Sequence, residues 1–102
     1  MTWISIGKEE EVSLAGMKRF TVEDMDIAVY HLKKGWYASV DLCTHQDCSL
    51  VEGQIENEEI VCLCHGGAFD IASGKATRMP CVSPLETFPI RVVDGWIEVD
   101  FI

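Results

Sequence analysis

The sequence predicts an all-β protein built from antiparallel sheets. Three observations predict it: apolar and β-branched residues gather in short segments, polar or glycine-containing turns separate them at hairpin spacing, and no stretch of usable length carries a helical stripe. Residues 3–6 can open a sheet, and residues 17–22 alternate weakly. Residues 27–32 and 36–40 flank Lys33-Lys34-Gly35, a good hairpin turn. Residues 59–62 follow a polar turn at Glu56-Asn57-Glu58. Residues 85–93 and 96–101 flank Asp94-Gly95, the strongest hairpin signal in the chain, since such a pair suits a two-residue turn that needs positive φ. Residues 9–14 offer a single turn of helix at most.

At 102 residues the chain reads as one domain, residues 1–102. A core of this size is modest, and a metal or a disulfide often supplements it. Hydrophobic residues make up 48%, which suits a globular chain. The apolar runs are far too short to cross a bilayer. The first eight residues lack a basic start followed by a long apolar stretch, so a cytoplasmic protein is expected, although a processed chain would look the same. Net charge is −9, which argues against nucleic acid or anionic membrane as partners and suits docking onto a basic patch; acidity also serves solubility alone. Five cysteines without a secretion signal point to metal or redox chemistry before a disulfide framework, and the odd number leaves at least one outside any pairing.

Two irregular stretches interrupt the β framework, residues 42–50 and 62–69, both rich in Cys, His and Gly. Loops held by a rigid sheet are where function concentrates. A third loop, residues 77–84, is stiffened by Pro80 and Pro84. The first loop reads Cys43-Thr44-His45-Gln46-Asp47-Cys48 and the second Cys62-Leu63-Cys64-His65-Gly66-Gly67. Each brings a thiolate and an imidazole, a donor set for iron–sulfur or zinc. The plant-type ferredoxin spacing, Cys-x4-Cys-x2-Cys, fails because Val51 stands where the third Cys is required. A structural zinc site could use Cys43, His45, Cys62 and His65, or Cys43, Cys48, Cys62 and Cys64. Zinc ligands within a pair are usually separated by about two to five residues, which Cys43-x-His45 fits poorly. The third reading is the arrangement in which two His replace two Cys on one iron.

That third pattern resembles the Rieske family: Cys43-x-His45, sixteen intervening residues, then Cys62-x-x-His65. Gly66, Phe69-Asp70 and Gly74 continue the family's run, and Trp36-Tyr37-Ala38 with Val40-Asp41 resembles the strand leading into its first cluster loop. Pro80 sits where the family has a proline loop over the cluster. The resemblance covers nearly the whole chain. It implies a Rieske fold, antiparallel sheets with a small cluster-binding subdomain at about residues 41–79, and one 2Fe–2S cluster. It implies that Cys43 and Cys62 bind the buried iron and that His45 and His65 bind the outer iron. Neutral imidazoles leave the cluster less negative than four thiolates would, giving potentials of about −150 to +300 mV against about −400 mV.

The resemblance further implies a disulfide, Cys48–Cys64, at the positions of the extra bond in high-potential members; two thiols are the competing expectation in a reducing cytosol. Gly67 and Phe69 stand where those members carry a Ser and a Tyr whose hydroxyls donate to cluster sulfurs, so a lower potential is expected here. The implied function is one-electron transfer between a reductase and an acceptor such as an oxygenase, by a soluble monomeric carrier with no turnover chemistry of its own. A subunit of a larger oxidoreductase and a non-redox zinc module are the alternatives. Outside the loops, Cys81 is expected as a small buried hydrophobe and His31 as an ordinary, partly buried side chain. Trp3, Trp36 and Trp96 are expected in the core or on edge strands, and the acidic runs at 9–11 and 56–59 as solvated turns.

Overall fold

The computed structural model describes residues 3–42, 48–64, 66–79 and 83–100. Eleven strands form among them: β1 Trp3–Lys8, β2 Gly16–Val22, β3 Met25–Leu32, β4 Gly35–Val40, β5 Gln54–Glu56, β6 Glu59–Val61, β7 Ala68–Asp70, β8 Ala76–Arg78, β9 Thr87–Phe88, β10 Ile90–Val93 and β11 Trp96–Asp100. They make three antiparallel sheets, ordered β1-β11-β10, β2-β3-β4-β9 and β5-β6-β7-β8. Two 3-10 turns, Glu9–Glu11 and Leu50–Glu52, complete the described secondary structure. Among the described residues no helix is long and apolar enough to cross a membrane.

Strand β3 explains how the sheets are held together. Successive side chains on a strand point to opposite faces. Ile27 and Val29 pack on one side of β3 with Phe20, Ala38, Phe88, Ile97 and Val99. Ala28, Tyr30 and Leu32 pack on the other with Leu50, Ile60, Cys62, Phe69 and Leu85. The middle sheet is therefore a shared wall between two cores, and its second face carries the sheet that ends at Cys62. The Tyr30 hydroxyl lies in that wall, 2.9 Å from Ser39 Oγ. Burial pushes the phenol far above its usual pKa despite the opposing effect of that bond.

The turns follow from backbone chemistry. Asp94 and Gly95 both have positive φ, as do Asn57 and Glu58, and Glu23 and Asp24. Paired positive φ at these hairpin tips matches the twist of the flanking strands. Gly74, at φ +81, is a position where glycine is required for a second reason: an added Cβ would meet the Leu85 carbonyl oxygen. The Leu85 N–H donates to that glycine's carbonyl at 2.6 Å, stitching the third sheet to the chain that returns toward β9. Asp70 Oδ2 accepts from the N–H (2.9 Å) and hydroxyl (2.7 Å) of Ser73, fixing the intervening turn.

Three expectations need correction. Residues 85–93 are not one strand: Pro89 lacks the N–H that would continue a ladder, so β9 pairs with β4 while β10 pairs with β11. The stretches read as loops at 62–69 and 77–84 yield their ends to β7 and β8, which pair with each other at Phe69 and Ala76. Trp96 is neither in the core nor on an edge: it opens the central strand of its sheet, 44% exposed, with Lys8 Nζ 5.2 Å from the ring centroid. His31 is half-buried and stacked on Trp36 with centroids 3.9 Å apart, its Nδ1 3.1 Å from the Val12 carbonyl oxygen.

Candidate metal centre

Cys62 follows directly on β6, and the core packing of Ile60, Phe69 and Ile71 carries it inward to 1% exposure. Its N–H donates to Gly67 O at 2.7 Å, and its carbonyl accepts from Gly66 N at 2.9 Å. Gly66, at φ +74, makes that reversal feasible. Gly66 and Gly67 thus close back on Cys62, whose sulfur faces the protein. Cys64, two residues on, is exposed and joined by a disulfide to Cys48, with the Cα atoms 6.6 Å apart. The two cysteine-bearing loops are thereby tied to each other.

The three sulfurs of Cys48, Cys62 and Cys64 lie within 4.8 Å of one another. Among the described residues this is the one group close enough to hold a metal, and it is all sulfur. Two of the three are bonded to each other, so Cys62 is the group's thiolate donor, suited to a soft, thiophilic centre and not a hard cation. The disulfide also weakens one zinc reading: a set of Cys43, Cys48, Cys62 and Cys64 is short of two thiolates once two of its members are bonded to each other. Cys43, His45, His65, Pro80 and Cys81 lie outside the described residues.

Gly67 is buried, and Phe69 is fully buried in the wall shared with Cys62. Neither side chain has a hydroxyl to donate toward the site. On the outer side Arg78 Nη1 lies 3.5 Å from Gly66 O. Leu42, Leu63 and Met79 are exposed beside the loops, at 47%, 68% and 76%.

One set of side chains was missed in the sequence. Asp41 ends the approach to the first loop, and its side chain is completely buried. Its Oδ1 accepts from Val51 N at 2.9 Å, and its Oδ2 accepts from Ser49 Oγ at 2.6 Å and Arg19 Nη1 at 3.5 Å. Arg19 Nη1 also donates to Ser49 Oγ at 3.1 Å. The Asp41 N–H donates to Asp26 O at 3.0 Å. An ionisable residue within an apolar strand end, directly before a cysteine loop, was the available signal.

Comparison with known proteins places these features. A family model described as the Rieske 2Fe-2S domain matches residues 2–89. The chain is 33% identical over 98 residues to ferredoxin CarAc of Metapseudomonas resinovorans, covering 95% of this chain and 92% of that protein. The solved Sphingomonas yanoikuyae B1 ferredoxin superposes with a TM-score of 0.92 at 31% identity, over 99% of this chain and 100% of that one. A chain in the complex of reduced oxygenase and oxidized ferredoxin in carbazole 1,9a-dioxygenase gives a TM-score of 0.87 at 33% identity, over 95% of this chain and 91% of that one.

Proposed function

This chain belongs to the Rieske 2Fe-2S domain family, and on that premise we propose that it is a one-electron carrier serving a multicomponent oxygenase. In this reading one cluster is held by Cys43 and Cys62 on the inner iron and by His45 and His65 on the outer iron. The observation that carries it is the buried Cys62 sulfur at the end of β6, a soft donor on a loop braced by Cys48–Cys64. A 2Fe–2S centre bound by two thiolates and two imidazoles exchanges one electron, at potentials of about −150 to +300 mV.

The chain's own residues do the rest. The wall of Leu50, Ile60, Phe69 and Ile71 excludes water from the inner side of Cys62. The absence of hydroxyl donors at Gly67 and Phe69 sets the potential toward the lower end of the range. A groove of about 340 Å3, lined by Trp36, Tyr37, Ile71, Phe88 and Pro89, lies on the flank and contributes no Cys or His. This suits a carrier better than an enzyme with its own substrate. The similar ferredoxin solved in complex with the oxygenase of carbazole 1,9a-dioxygenase supports an oxygenase as acceptor, and the donor in this reading is a reductase. We assign the protein to the cytoplasm as a monomer.

Iron and acid-labile sulfide analysis with a visible spectrum tests the centre; two irons and two sulfides per chain are expected, and a colourless zinc protein overturns the reading. Reduction by a ferredoxin reductase and reoxidation by a Rieske oxygenase then test the carrier role.

A further inference from the structure

Among the described residues, Asp41 is the buried carboxylate that fastens the first cysteine loop at both ends. The loop leaves at Asp41 and returns at Ser49 and Val51, and a single side chain binds the N–H of Val51 and the hydroxyl of Ser49. Its own backbone is pinned to Asp26 O. Removing such a charge from water is costly unless donors replace the water, and three donors converge here. One of them, Arg19, reaches from β2 and is 43% exposed, so it brings a compensating positive charge from the surface.

Asp41 precedes Cys43 by two residues, which limits the separation of their backbones to about 7 Å whatever path the loop takes. A buried charge at that range is poorly screened. We propose that Asp41 and Arg19 form a positioning and charge-tuning pair for the first ligand loop: Asp41 sets the loop's geometry and disfavours electron uptake, and Arg19 opposes that field. The pair rests on the iron–sulfur reading of the site, yet neither residue is a ligand in it.

The sign structure of the pair gives the test. Asp41→Asn keeps an oxygen for the Val51 N–H and turns its amide N–H toward Ser49 Oγ, which can accept, but removes the negative charge, so reduction becomes easier. Arg19→Gln removes the positive charge and leaves the carboxylate, so reduction becomes harder. Each change is expected to move the equilibrium constant for reduction by about three- to twentyfold, in opposite directions. Arg19→Lys restores a charge and stays nearer the parent. Asp41→Ala loses the fastening itself: it accelerates loss of visible colour and speeds hydrogen exchange at the Val51 amide.

The experiment is redox titration of the holoproteins, with amide exchange as a second measurement. Shifts of the same sign for Asp41→Asn and Arg19→Gln, or no shift in either, overturn the tuning role. Unchanged Val51 exchange in Asp41→Ala overturns the positioning role. Should Asp41→Asn fail to fold, Arg19→Gln, made at a half-exposed position, still decides the sign. A parent protein without iron and sulfide counts against the iron–sulfur reading, and is told apart from failure of the pair by its lack of colour.

Discussion

Phe69→Tyr sets a hydroxyl into the apolar wall behind Cys62, and its consequences can be worked out in advance. Phe69 is fully buried, pairs across strands with Ile60 and Ala76, and shares its core with Cys62 and Leu50. A buried hydroxyl without an acceptor costs about 1–3 kcal/mol. With a cluster sulfur as acceptor, the bond strengthens when the centre gains an electron. A preference of about 1–1.4 kcal/mol for the reduced state corresponds to about 40–60 mV, at about 59 mV per factor of ten for one electron. Redox titration should therefore show a rise of about 40–60 mV with little change in thermal stability. An unchanged or lowered potential refutes the reasoning, and a lower Tm at constant potential shows that the hydroxyl lies unsatisfied in the wall.

Three further outcomes follow from the same structure. Replacing both Cys48 and Cys64 by Ser opens a link across a separation of 16 residues, and the chain-entropy model puts the cost at about 3 kcal/mol; a lower urea concentration for loss of the visible spectrum checks it. Gly74→Ala forces a Cβ against the Leu85 carbonyl at positive φ, costing about 2 kcal/mol or more, read as a fall in Tm. Glu11 is held below its ordinary pKa of 4.5, first by the side-chain bond from Lys18 and then by the Lys8 N–H. That contribution is present above the ordinary value and is lost as pH falls through the folded-state pKa, so the Tm difference between parent and Lys18→Met should shrink in acid.

Hairpins were legible in the sequence wherever their chemistry was local. Asp94-Gly95 joins β10 to β11 as expected, because the turn needs only two residues able to take positive φ. Glu23-Asp24 was not read as a turn, since neither residue is glycine, yet the β2–β3 ladder holds both at positive φ. The short strands β5, β7 and β8 were missed, each only three residues long, since their pairing and not their own composition makes them strands. Residues 85–93 look continuous until the two halves find different partners on either side of Pro89.

By itself the sequence determined the ligand candidates, since Cys43-x-His45 and Cys62-x-x-His65 are statements of identity and spacing. It determined equally that no hydroxyl stands at Gly67 or Phe69. Tertiary structure decided what spacing cannot express. It split β3 between two cores, so that one face of a single strand supports the sheet bearing Cys62. It brought Cys48 to Cys64, and it gathered Arg19, Asp41, Ser49 and Val51 from separate segments around one carboxylate. The physical reason is range: a turn or a ligand spacing is fixed by neighbours along the chain, whereas a buried charge finds its donors only after distant strands have packed.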